Sequence, residues 1–222
     1  MPYPCLSAAA LATLTCLVAP GAALAHPHIF IDTSIEVVFT PTGQAGGFRI
    51  TWAYDDLYSL AYLAENGFDP DFDGTLTEEE LARLQGFDME WDAGFLGDSY
   101  AFLGKTPLPL TGPTETTAGY QDGRLISTHL RPLAAPVDLA GNDLVLRVYD
   151  PSFYTAYTIA AQPVLTGRAD CQAQVFEPDR ENADARLQAA IAELAGTAEA
   201  EGEFPAIGDA YAEEMVVTCP AA

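Results

Sequence analysis

From Ile29 onward the chain is cut into short stretches in which β-branched and aromatic residues alternate with polar ones, separated by Gly, Pro and Asp. Side chains two apart share one face of a strand, so each stretch can cover a core with one face and meet solvent with the other. The clearest is IFIDTSIEVVF from Ile29, followed by the turn PTGQAGG and by FRITWAY from Phe48, which together read as a hairpin. Further strands are expected near residues 99–103, 116–120, 124–133, 143–149, 154–160, 172–176 and 213–219. Helical spacing is confined to a few places. Leu57, Leu60, Ala61 and Ala64 recur after Asp55, Leu81 and Leu84 form an inner stripe, the aromatic run FDMEWDAGFLG is expected to be helical, and residues 179–195 read as a surface helix. The fold class is therefore α+β: mainly antiparallel β, sandwich-like, with an inserted helix-loop-helix at about residues 55–86 and a C-terminal helix. A parallel nucleotide-binding sheet is disfavoured, because strands and helices do not alternate.

The insertion carries the most specific motif, DPDFDGTLTEEE at residues 69–80. An EF-hand loop takes side-chain oxygens at its first, third and fifth positions, a backbone carbonyl at its seventh and a bidentate glutamate at its twelfth. Asp69, Asp71, Asp73, Thr75 and Glu80 meet those requirements, Gly74 falls at the sharp turn, and Thr77 can reach the ion directly or through water. Thr77 and Glu80 also have the spacing of a capping box, although Glu80 is expected on the ion. The plainer alternative is an acidic loop that joins two helices. A single loop of this kind in an exported protein is expected to brace the fold, binding calcium at about 0.1–1 mM.

Charge narrows the partners. With Lys+Arg 9 against Asp+Glu 32 the net charge is −23, so nucleic acid and anionic membranes are repelled and cations attracted. The apolar, uncharged segment up to Ala25 ends in an A-x-A pattern and predicts an export signal over residues 1–25, leaving one periplasmic domain from 26 to 222 that is not membrane-embedded. Removal of Cys5 and Cys16 with the signal leaves Cys171 and Cys219, which an oxidising compartment joins as a disulfide.

Processing there also exposes His26-Pro27-His28 as a new N-terminus. An α-amine and imidazoles grouped in this way suit zinc, copper or nickel, while the missing amide proton of Pro27 removes the square-planar copper site built from deprotonated amides. A frayed end is the competing reading. His129 is the remaining histidine, a core or surface residue unless the first strand packs beside it. Ser59, Ser127 and Ser152 have no nucleophile-elbow context, so no enzyme is predicted.

The segments AHPHIFID, TWAYDDLYS, the acidic loop, VYDPSFY and the late cysteine pair, in this order, resemble a bacterial periplasmic family of unknown-function domains, called ZevA-like, found with nickel/cobalt-type membrane permeases. The resemblance spans most of the mature chain and implies a role in transition-metal transport, zinc foremost, with copper, nickel or cobalt as other cargoes. By matching motif it implies His26 and His28 as metal ligands, and Asp55 and Asp150 as acidic partners or fold determinants. The leading expectation is a metal-binding accessory protein that presents an ion to such a permease. The alternatives are a histidine-brace copper protein with redox or oxygenase activity, and a calcium-stabilised structural or interaction module.

Overall fold

The computed structural model describes residues 27–71, 73–194 and 205–220; the expected signal and His26 lie outside them. β1 (Ile29–Phe39) and β2 (Ala45–Tyr54) form the expected hairpin, and α1 (Asp56–Glu65) and α2 (Glu78–Leu84) flank the acidic loop. There follow β3 (Ser99–Leu103), β4 (Thr106–Leu108), β5 (Thr114–Gln121), β6 (Arg124–Val137), β7 (Leu144–Val148), β8 (Thr155–Ile159), β9 (Val164–Thr166) and β10 (Gln172–Phe176). The chain closes with α3 (Arg180–Leu194), α4 (Gly208–Tyr211) and β11 (Glu213–Thr218).

Two sheets face each other, as the sandwich-like expectation required. The first has the order β5-β6-β2-β1-β8, with β9 also on β1, and the second β10-β11-β7-β3-β4. The pairs are antiparallel except β1 with β8 and β1 with β9. Period-two patterning sets the core: Ile31, Ile35 and Val37 of β1 and Phe48 and Ile50 of β2 meet Leu144, Leu146, Met215 and Val217 from the other sheet in one cluster. Each such side chain contributes about 1.5–3 kcal/mol on burial. Among the described residues no helix is long and apolar enough to cross a membrane.

Two local expectations are corrected. Leu57 and Leu60 are 75% and 59% exposed, and α1 instead buries Ser59 and Leu63. The cause is a backbone donor: Ser59 Oγ accepts the buried Leu125 N–H (2.9 Å), which rotates that face of the helix onto β6. The run after α2 is not helical but an arm of turns over residues 87–98. Gly94 and Gly97 take positive φ there, and a Cβ on Gly97 would collide with Arg131 and the Trp91 ring. The aromatic side chains of the arm pack on the first sheet rather than along a helix face. The short strands β4 and β9 and the single turn α4 had no clear local signal.

Candidate functional site

The acidic loop gathers the first three carboxylates of its pattern, Asp69, Asp71 and Asp73. Asp69 adopts positive φ (51°), and its Oδ1 and Oδ2 accept the backbone N–H groups of Asp73 (3.0 Å) and Gly74 (3.1 Å). Asp73 Oδ1 accepts the amide (2.8 Å) and hydroxyl (2.7 Å) of Thr75, and these bonds hold its carboxyl below the ordinary range. The result brings carboxylate oxygens of Asp69, Asp71 and Asp73 within 4.8 Å of one another, a cluster able to hold a metal ion. Crowding is visible at Asp71, whose carboxyl is raised chiefly by the charge of Asp73 and by its contact with Asp69, the repulsion a cation relieves. Thr77 caps α2 and forms the full capping box with Glu80, whose Oε2 accepts both the amide and the hydroxyl of Thr77 (2.8 Å each). Glu80 thus stands at the helix start with Oε2 engaged, rather than being turned wholly into the loop.

His28 lies exposed at the start of β1, with its amide donating to the Tyr154 carbonyl (2.8 Å) and its ring against the Tyr154 ring (centroids 4.7 Å). Asp55 and Asp150 lie at the same end of the first sheet, engaged with the backbone. Asp55 caps α1 through Tyr58 N–H (2.8 Å) and accepts Phe30 N–H (2.8 Å); Asp150 accepts Ser152 N–H (2.8 Å) and Thr155 N–H (3.0 Å). These bonds fix the start of β1 and β8. His129 is elsewhere. It pairs with Ile50, which pairs with Ile35, so β2 separates β6 from β1 and His28 lies about 23 Å further along the strand direction. The two imidazoles do not share an ion.

His129 is wholly buried, edge-on to Trp52 (4.6 Å) and Trp91 (5.7 Å), and neither ring nitrogen has a hydrogen-bond partner in the protein. Burial, reinforced by the Arg131 charge, depresses its pKa to about 4. Beside these rings lies a chamber that sequence reading missed. Tyr54 donates its hydroxyl to Asp88 Oδ2 (2.8 Å) and Tyr157 to Asp98 Oδ2 (2.8 Å). Burial pushes Asp98 up to about 7, with the Asp150 charge adding to the effect and the Tyr157 hydroxyl and Arg131 opposing it. Burial likewise raises Asp88, against the Ser127 and Tyr54 hydroxyls. Ser127 is near enough to act on Asp88, yet makes no hydrogen bond of good geometry. The local signal available was the density of Trp, Tyr and Asp between residues 87 and 98.

Two comparisons place the chain among known sequences. A relative from Haemophilus influenzae, an uncharacterized protein, is 26% identical over 201 residues, covering 88% of this chain and 92% of that protein. The family model described as "Protein of unknown function (DUF1007)" matches residues 11–219, through the hairpin, the acidic loop, both sheets and the cysteine pair, and the chain belongs to that family.

Proposed function

We propose that this protein is a non-catalytic periplasmic metal-binding accessory protein. It presents a transition metal, zinc foremost, to a nickel/cobalt-type integral-membrane permease, and calcium in the Asp69–Glu80 loop braces the fold. The observation that carries the reading is the placement of His28, exposed but held by the backbone bond to Tyr154, which fixes the point from which a processed N-terminus would start. Phe30 and Tyr154, 54% and 47% exposed, give that end an apolar rim suited to docking on a membrane protein. The ZevA-like resemblance supplies the permease as partner. The histidine-brace alternative loses its nearest third imidazole, because His129 faces the core on another strand.

The test is calorimetric titration of the processed protein with zinc, copper and nickel, repeated on the His26→Ala/His28→Ala double variant. Loss of the tightest transition-metal site with an unchanged thermal melt is the expected result. Undiminished affinity in the double variant overturns the proposal.

A further inference from the structure

The chamber between the first sheet and the 87–98 arm has a volume of about 210 Å³, small beside the roughly 300 Å³ at which drug-sized pockets begin. Trp52, Tyr58, Trp91 and Phe95 supply much of its wall, Asp88 and Asp98 its charge, and no Lys, Arg or His lines it. The Arg131 guanidinium on the Trp91 ring is already engaged: it donates to the carbonyls of Thr111 (2.9 Å) and Leu96 (2.9 Å) and lies 4.7 Å from the Trp91 ring centre. Two wall groups are left without partners, the buried Asp88 Oδ1 and the indole N–H of Trp52, a residue only 3% exposed. A bare metal ion is poorly served, because among the described residues Asp88 and Asp98 belong to no set of three metal-ligating side chains within 4.8 Å of one another.

Aromatic faces and carboxylates around one small space are complementary to a cation that also has apolar surface. The faces attract its charge through their quadrupoles, the methyl or methylene groups replace water against the rings, and the carboxylates neutralise it. We propose that this chamber binds a small organic ammonium ion, its positive end between Asp88 and Asp98 and its carbon groups against Trp52 and Trp91. A hydroxyl on such a ligand would give the Trp52 N–H its acceptor. This site is distinct from the acidic loop and from the N-terminal histidines.

The chain contains two tryptophans and both line the chamber, so intrinsic fluorescence reads it directly. The full chain is titrated with choline, with its neutral isostere 3,3-dimethylbutan-1-ol, and with sodium chloride at matched ionic strength. A saturable change with choline alone is expected. Asp98→Asn keeps an acceptor for Tyr157 and tolerates the positive φ (47°) of Asp98, and it should weaken choline binding about 10- to 100-fold; Asp88→Asn is the second variant. No saturation with choline, an equal response to the isostere, or unchanged affinity in a folded aspartate variant overturns the proposal. So does saturation by zinc chloride in the His26→Ala/His28→Ala variant without saturation by choline, which assigns the chamber to a metal.

Discussion

His129 carries an energetic cost that its surroundings do not offset. Wholly buried and without a partner for either nitrogen, it gives up hydration and gains only packing against Trp52 and Trp91. His129→Leu is therefore expected to leave stability equal or higher near neutral pH, by about 1 kcal/mol. The pH profile is more telling. A histidine whose folded pKa is depressed to about 4, from an ordinary 6.5, contributes stability that is complete above 6.5 and is lost as pH falls toward 4. The advantage of the leucine variant should thus grow by roughly 3 kcal/mol between those limits and level off below. Asp98 acts with the opposite sign: its carboxyl is raised from 3.8 to about 7, so its contribution is complete below 3.8 and lost as pH rises to about 7. The difference between parent and variant, read from urea midpoints at several pH values, isolates His129 because Asp98 is common to both. A flat difference would mean that His129 finds a partner or titrates in the core at no cost.

Neither helix of the insertion would persist alone. α1 spans 10 residues and α2 only 7, below the roughly 12–15 at which isolated helices become even marginal. They are held from outside by Asp55 and Thr77 at their starts, by buried Leu63 and Leu84, and by the Gln85 amide, which pairs with the backbone N–H (2.9 Å) and carbonyl (2.7 Å) of Ala118 on the edge strand β5. The loop is the joint between them. In about 1 mM calcium, Asp69→Ala should abolish calcium-dependent stabilisation worth roughly 1 kcal/mol, a fall in melting temperature of about 2–4 °C. Zinc binding should be spared. Melts with calcium and with chelator decide it, and equal loss of zinc affinity would show that the two sites are coupled. The clustering of Asp69, Asp71 and Asp73 was legible because such a loop is specified within a dozen residues. The face of α1 was not, because Leu57 and Leu60 satisfy a helical stripe, while the deciding contact is a backbone N–H of Leu125, 66 residues from Ser59.

Across the whole molecule, the Cys171–Cys219 disulfide ties β10 to β11, the strands that carry the C-terminal end of the second sheet. It spans a sequence separation of 48, so closing it removes about 4 kcal/mol of denatured-state entropy in the chain-entropy model. Cys171→Ser/Cys219→Ser should lower the melting temperature by roughly 8–16 °C, as should reduction of the parent. A scan with and without reductant reads the effect, and a shift within a degree or two would mean that strand pairing alone holds the end of the sheet. The bond joins the ends of two second-sheet strands, whereas His28 is held on the first sheet by its backbone bond to Tyr154, so His28 should keep its place in the reduced protein.

The strand stretches, the hairpin, the acidic loop and the cysteine pairing were all readable from sequence. Each rests on alternation, turn residues or acidic spacing over a few neighbouring positions, or on a cysteine count that leaves one pair once the expected signal is removed. Only the folded chain decided that β8 and β9 lie parallel to β1, that His129 is far from His28, and that Asp88 and Asp98 share a chamber. Their partners Tyr54 and Tyr157 are 34 and 59 residues away in sequence. Local pattern places a side chain on a face of its own strand or turn; which distant side chain it meets is set by sheet order and by the burial of both sheets in one core.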